Sequence, residues 1–294
     1  MKNIHFILNP IAGNGNNNIT LCILHKYFSI EEYNVVIKQS LHKKHAITLT
    51  KESIEEKAEI IVACGGDGTI NEVASCLVNT QIILGIIPIG SGNGLASNLK
   101  IPKEIHQSLL LIKNQPIKKI DIGCLNSNYF FSNSGLGFSA CIIKNYELSK
   151  TRKLLGYLKA SLKSLKELNH NRNIEVIVNG KTISKNPSII FISNSNELGY
   201  KVSLTPKASL QDGLLDVLIV SKLNILKLLT FCVLMLFKKH HLLKEVKSFQ
   251  SNSIRIFQTK KQPINTQIDG EILNIKDKII NLSVLEKSLN VIAS

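Results

Sequence analysis

The chain has no tryptophan, and its six tyrosines and ten phenylalanines form no stacking motif interleaved with the basic residues. That speaks against a nucleic-acid platform, which sets aromatic faces beside its cations. The six cysteines (22, 64, 76, 124, 141 and 232) are scattered, with no Cys-x-x-Cys pair and no histidine at zinc spacing. The pattern argues against a metal knuckle and suits a reducing cytosol. The longest apolar run, Leu228 to Phe237, is about half of the ~20 residues that a membrane span requires. The stretch after Met1-Lys2 is too short for the core of a signal peptide. A cytoplasmic protein, soluble or peripheral at the inner membrane face, is expected. There is no repeat of solenoid length and no low-complexity linker. Acidic residues are scarce, 21 against 36 lysines and arginines, for a net charge of +15. The excess is nearly all lysine and spread along the chain. It implies attraction to polyanions or anionic membrane surfaces more than an arginine-rich groove, and a solvated lysine-rich surface accounts for it equally well.

At 294 residues, 44% hydrophobic and 19% charged, the chain has the makings of two globular domains or one large one. It is organised around Ile60-Ile61-Val62-Ala63-Cys64-Gly65-Gly66-Asp67-Gly68-Thr69-Ile70-Asn71-Glu72-Val73. A short apolar run empties into three glycines around one aspartate, and helical spacing (Ile70, Val73, Ala74, Leu77) resumes at once, which predicts strand, tight loop, helix. Such a turn suits phosphate, because glycines let the backbone approach an anion and the helix start offers unpaired N–H groups. Asp67 beside phosphate calls for a divalent cation or a proton donor between them. A plainer alternative is a capping box, with Thr69 capping the helix and Glu72 reaching back to the loop amides. The spacing is neither that of a Walker loop nor the Gly-x-Gly-x-x-Gly of a Rossmann turn.

Ile4 to Leu8 reads as a first strand, closed by Asn9-Pro10-Ile11-Ala12-Gly13-Asn14-Gly15 and followed by a helix through Leu21, Ile23 and Leu24. Val35 to Ile37 is strand-like and ends near Ser40, and residues 46 to 58 carry a helical pattern. Ile82 to Ile87 empties into a third glycine-rich loop, Pro88-Ile89-Gly90-Ser91-Gly92-Asn93-Gly94, at the strand end where open parallel sheets bind ligands. Short apolar strands alternating with helices imply a doubly wound parallel sheet for the first 120 or so residues. From Ile120 the rhythm becomes that of a mainly antiparallel β domain, a sandwich, with Asn179-Gly180 a strong hairpin signal. Its strands are expected at Ile120 to Leu125, Tyr129 to Ser132, Ile174 to Val178, Ser188 to Ile192, Leu214 to Val220 and Ser253 to Phe257. Two helix-like insertions interrupt it. Leu148 to Leu168 is basic and amphipathic, suited to an anionic bilayer or to a core-facing stripe. Ile225 to Phe237 is apolar all round, for which burial in the β domain or at a lipid pocket fits better than exposure.

With Asn9-Pro10, the central loop and the Gly90 loop in order, then Gln211-Asp212-Gly213-Leu214-Leu215-Asp216-Val217 and Ile268-Asp269-Gly270-Glu271, the chain resembles the diacylglycerol kinase catalytic-domain family. That family includes bacterial lipid kinases and the sphingosine and ceramide kinases. The resemblance implies an α/β ATP-binding domain, residues 1–122 joined by a returning segment 282–294, and a β-sandwich lipid-substrate domain, 123–281, with catalysis in the cleft between them. It implies that Asn9, Pro10, Ile11, Ala12, Gly13, Ser40, Gly66, Asp67, Gly68, Thr69, Ile70, Asn71, Glu72 and Ser91 line ATP. Asp212, through its side chain, with the main-chain oxygens of Ser209 and Leu214, resembles the family's structural Mg²⁺ site. Glu271 corresponds to its general base, with Asp269 beside it; Asp67 is the base in some accounts of the sphingosine branch, so the assignment is open between the two. Many diacylglycerol-type members have Asn-Asp-Phe-Ala-Arg after the third loop, whereas Asn93 here is followed by Gly94-Leu95-Ala96-Ser97, which looks closer to the sphingosine and ceramide branch.

The activity so implied is transfer of the γ-phosphate of ATP, with Mg²⁺, to a hydroxyl of diacylglycerol or a sphingoid-type long-chain lipid at a membrane face. The chemistry needs a carboxylate about 3 Å from the attacking hydroxyl and amides in place for the developing charge. Competing readings are NAD kinase, which shares a Gly-Gly-Asp-Gly-Thr loop, and a catalytically silent lipid- or anion-binding module. No nucleic-acid partner is expected, and a homodimer is left open.

Overall fold

The computed structural model describes residues 1–13, 15, 18–90, 92–114, 116–137, 140, 174–196, 204–258 and 264–294. The basic stretch Leu148 to Leu168 and the candidate Ser91 lie outside the described residues. The chain forms two compact units, Met1–Ile122 with Glu286–Ser294, and Gly123–Leu285.

In the first unit, β1 (Lys2–Leu8), β2 (Tyr33–Gln39), β3 (Ile60–Gly65) and β4 (Ile83–Pro88) form a parallel sheet in the order β2-β1-β3-β4. The end of the last strand, Ile279–Ile292, adds to it beside β4, with Asn290 opposite Ile83 and Val291 opposite Leu84. β3 is buried from end to end, as a parallel strand covered on both faces must be, and its sequence is accordingly a continuous apolar run. The helices are α1 (Leu21–Leu24), α2 (His45–Glu55), α3 (Asp67–Leu77), α4 (Gly94–Asn98) and α5 (Ile105–Asn114). α1 is a single turn capped by Thr20. The helix expected over 46–58 stops at Glu55, and Lys57 turns into the left-handed region at φ 59°.

The second unit is a sandwich. One sheet runs β12-β11-β10-β7-β14-β15, built from β7 (Asn133–Gly137), β10 (Ile189–Ser193), β11 (Leu215–Val220), β12 (Val246–Ser251), β14 (Ile264–Ile268) and β15 (Glu271–Ile275), all antiparallel. The other joins β8 (Ile174–Val178) and β9 (Lys181–Lys185) to β13 (Ser253–Gln258) and the first half of β16 (Ile279–Ile292). A short hairpin of β5 (Ile117–Leu125) and β6 (Asn128–Phe130) contributes Leu125 and Phe130 to the core. Between the sheets lie Leu136, Ile190, Ile192, Val217 and Ile219 from one side and Val176, Ile254, Ile256, Ile280 and Leu282 from the other. The Asn179-Gly180 turn joins β8 to β9 with both residues at positive φ (49° and 74°), the two-residue turn that the right-handed strand twist favours.

β10 and β11 are buried on both faces, so their outer face also needs a cover. It is α6 (Ile225–Leu236), which packs Leu228 and Phe231 against Ile189, Phe191, Leu218, Val220 and Leu223. This corrects the first of the two expectations, burial of the helix in the β domain: its opposite side, including Leu226, Leu229 and Val233, is exposed. A single helix on a flat sheet contacts it along one stripe only, whatever the composition of the rest. Among the described residues no helix is long and apolar enough to cross a membrane.

Candidate active site

β1, β3 and β4 are neighbours and end nearly level, with Leu8 opposite Cys64 and Gly65 opposite Pro88. The three glycine-bearing loops that follow them therefore lie side by side. They enclose a cavity of about 460 Å³ lined by Asn9, Ala12, Gly13, Gly66, Asp67, Gly68, Thr69, Gly90 and Gly92. The glycines are set by contact distance. A Cβ on Gly90 would stand 2.5 Å from the Gly66 Cα, and one on Gly13, at φ +66°, would stand 2.7 Å from the Ile89 carbonyl oxygen. Main chain touches main chain here, and no side chain fits between.

α3 starts at this cavity. Its N-cap is Gly66, and no side chain caps it. The capping-box alternative does not hold, because the helix begins at Asp67, two residues before Thr69. Thr69 instead accepts a hydrogen bond from Asn9 Nδ2 (3.2 Å), tying the first loop to the second, and Glu72 Oε1 accepts the Lys44 N–H at 2.8 Å. Nothing lies within 4 Å of where a Cβ on Gly68 would be. The positive end of α3 thus faces open space, which is the arrangement that binds anions at helix starts.

Asp67 has a structural task that its sequence context did not reveal. Its Oδ2 accepts the Asn93 N–H at 2.7 Å and its Oδ1 accepts the Gly94 N–H at 2.6 Å. The carboxylate so caps α4, whose N-cap Asn93 is left-handed and offers no side-chain cap of its own. Asn93 is spent elsewhere, donating from Nδ2 to the Gly90 carbonyl at 2.6 Å. Asp67 is therefore a strut between the second and third loops while also lining the cavity.

The remaining residues of the expected nucleotide set are more dispersed. Pro10 and the exposed Ile11 stand outside the cavity lining, with the Ile11 N–H donating to Asn9 Oδ1 at 3.2 Å. Ser40 is buried and extends the β1–β2 ladder by donating its N–H to the Leu8 carbonyl at 2.8 Å. Ile70 is wholly buried in the core, and Asn71 and Glu72 follow it away from the cavity wall.

In the second unit Asp269 and Gly270 form the turn of the β14–β15 hairpin, both at positive φ (48° and 86°). The Asp269 carboxylate accepts three main-chain N–H groups: Phe131 on Oδ2 at 2.8 Å, Ser132 on Oδ1 at 2.8 Å and Asn133 on Oδ1 at 2.9 Å. Gln267 supports the turn, donating to Asn133 Oδ1 and accepting the Gly270 N–H. Asp269 thus anchors the hairpin, and Glu271, the first residue of β15, is exposed. Asp212 Oδ1 accepts the Leu214 N–H at 3.1 Å, and its Oδ2 shares the Gln250 side-chain amide with Asp216 Oδ2. Burial, above all, pushes the Asp216 carboxyl above the usual range, and the nearby Asp212 charge adds to this. Ser209 Oγ accepts the Gln211 N–H at 3.2 Å. Among the described residues no three His, Cys, Asp or Glu side chains converge to hold a metal, so a cation beside Asp212 would also draw on main-chain oxygens. Asp216 and Gln250 were missed from sequence. Asp216 stood within the Gln211–Val217 motif, whereas Gln250 arrives from a distant strand and carries no local signal.

Two family models match the chain: the diacylglycerol kinase catalytic domain over residues 3–125, and the YegS C-terminal NAD kinase beta sandwich-like domain over residues 135–293. The diacylglycerol kinase of Bacillus subtilis is 28% identical over 277 residues, covering 92% of this chain and 90% of that protein. A Pectobacterium atrosepticum protein named "Probable lipid kinase YegS-like" is 30% identical over 200 residues, covering 66% of this chain and 67% of its own. A crystal structure of a diacylglycerol kinase from Bacillus anthracis shares the fold, with a TM-score of 0.71 at 18% identity, over 100% of this chain and 97% of that one. The two models together span nearly the whole chain, and the chain belongs to the diacylglycerol kinase catalytic-domain family.

Proposed function

We propose that the chain is an ATP- and Mg²⁺-dependent lipid kinase that transfers the γ-phosphate to a hydroxyl of diacylglycerol or a sphingoid-type lipid. The observation that carries the reading is the cavity where three glycine-bearing loops meet the uncapped start of α3. Gly66, Gly68 and the first-turn amides of α3 would hold the phosphates, and Asn9 and Gly13 would close the cavity from the first loop. The Gly68 position, with nothing within 4 Å of a Cβ built there, leaves room for a phosphate against the main chain. ATP supplies the phosphoryl group, and a hydrated Mg²⁺ neutralises its charge.

Asp67 would orient that cation's waters with the lone pairs its two amide bonds leave over, while its grip on Asn93 and Gly94 keeps the third loop in register. Glu271 would take the proton from the attacking hydroxyl, because Asp269 is committed to three amides. Asp212, with the main-chain oxygens of Ser209 and Leu214, would hold a second, structural Mg²⁺. The donors fit a hard cation, since two carboxylates there share one neutral amide. In domain terms, residues 1–122 with the returning end would bind ATP, and the sandwich would bind the lipid.

The test is transfer of radiolabel from ATP to a panel of diacylglycerols and sphingoid bases in mixed micelles. Label is expected in at least one lipid, with Asp67→Ala inactive and NAD⁺ in the same assay unlabelled. A parent protein that labels no lipid, or only NAD⁺, would end the proposal.

A further inference from the structure

α6 covers the outer face of the six-stranded sheet with one side only. At about 100° per residue, Leu226, Leu229, Val233 and Phe237 fall within roughly 80° of one another and opposite Leu228 and Phe231. Their exposures are 75%, 50%, 54% and 69%, and Leu242, just beyond the helix, is 66% exposed. The stripe is therefore continuous, apolar and uncovered among the described residues. It is also firmly based. Asn224 caps the helix by accepting the Lys227 N–H at 2.9 Å, and beyond its far end the buried His240 bonds through Nε2 to the Leu204 carbonyl oxygen at 2.8 Å while its ring packs against Phe231.

The charge around the stripe selects what can cover it. Between residues 222 and 247 stand six lysines (222, 227, 238, 239, 244 and 247) and one carboxylate, Glu245, which is already paired with Lys227. A second copy of the chain, docked about a two-fold axis, would set this excess against itself. An anionic bilayer reverses the sign: the apolar side chains enter the acyl boundary and the long lysines reach back to the headgroups. No helix of the described residues is long enough to span, so the helix would lie in the plane of the interface.

We propose that this face of α6, with Leu242, is the surface by which the chain docks on an anionic lipid bilayer. The inference deepens the lipid-kinase reading, on which it rests for why such a chain should meet a bilayer. Its test needs no ATP, so its failure is separable from failure of that reading.

Sedimentation with vesicles of phosphatidylcholine, alone and with phosphatidylglycerol, measures it on the full chain. The parent should bind the anionic vesicles, more weakly as salt rises. Leu226→Ser/Leu229→Ser/Phe237→Ser should bind them about tenfold or more weakly at an unchanged melting temperature. Lys238→Glu/Lys239→Glu should lose the preference for anionic vesicles. Because the chain has no tryptophan, Phe237→Trp gives a sole reporter, whose emission should shift to the blue on vesicles and be quenched by brominated lipid. The proposal is overturned by a parent that binds no vesicle, by a triple variant that binds like the parent, or by reporter emission unchanged on vesicle-bound protein. It is overturned equally if the triple substitution only dissociates a dimer and leaves vesicle binding intact.

Discussion

The main-chain N–H of Gly94 donates to Asp67 Oδ1 at 2.6 Å, bridging 27 residues of chain. Together with the Asn93 bond it makes one carboxylate responsible for the relative placement of two loops. Asp67→Ala leaves both donors without their acceptor, at a cost of about 1–3 kcal/mol. Urea unfolding should show that loss. Asp67→Asn keeps one acceptor oxygen and should lose less stability, yet phosphoryl transfer should fall in both, since the charge is absent from each.

Two glycines of the cavity should respond oppositely to alanine. Gly68→Ala has open space around its new methyl and sits in a helix, so stability should hold or rise by about 0.5 kcal/mol. Its methyl enters the space to which the proposed function assigns a phosphate, and calorimetric titration with a nonhydrolysable ATP analogue should show affinity weakened about tenfold or more. Gly90→Ala drives a Cβ to 2.5 Å from the Gly66 Cα and should lower the melting temperature, through about 1–3 kcal/mol of overpacking.

The two carboxylates of the β14–β15 hairpin should separate by readout. Asp269→Ala abandons three main-chain donors and should destabilise the protein by about 3 kcal/mol or more. Glu271→Gln changes an exposed position, so the unfolding curve should superpose on the parent's while kcat falls by about 10²–10⁴. A Glu271→Gln enzyme with parental kcat would remove Glu271 from the base's role.

Stability should fall on mild acidification. Burial, the largest cause, holds both His5 and His240 below their ordinary value of 6.5, and in His5 the neighbouring Glu56 offsets this only in part. With the folded value below the unfolded one, the unfolded chain binds more protons in the interval between them. The stability these residues contribute is complete above about pH 6.5 and drains away as pH drops through their depressed values. Urea midpoints at pH 7.5 and 5.5 should differ, and His5→Gln/His240→Gln should flatten the difference.

The parallel sheet was legible because buried strands such as Ile60–Gly65 are short unbroken apolar runs between glycine loops. The Asn179-Gly180 hairpin was legible for an equally local reason. β7 was not: Asn133-Ser134-Gly135-Leu136-Gly137 has one large apolar residue, Leu136, which joins the core between the sheets, yet every position is buried and strands pair on both of its edges. Small polar residues there make room for neighbouring side chains, a demand set by tertiary packing. The loops that line the cavity were readable from their glycines, while the tasks of Asp67 and Asp269 were not. Each carboxylate meets donors from distant segments, and only the folded chain brings them near.

The pairing of Asn290 with Ile83 and of Val291 with Leu84 has a consequence for biosynthesis. The edge of the fourth strand waits for a partner made more than two hundred residues later, so the sheet of the first unit cannot finish before residues 290 and 291 have been made. Its completion follows that of the sandwich, and a nascent chain arrested shortly before residue 290 would carry an open β edge ready to pair with whatever it meets.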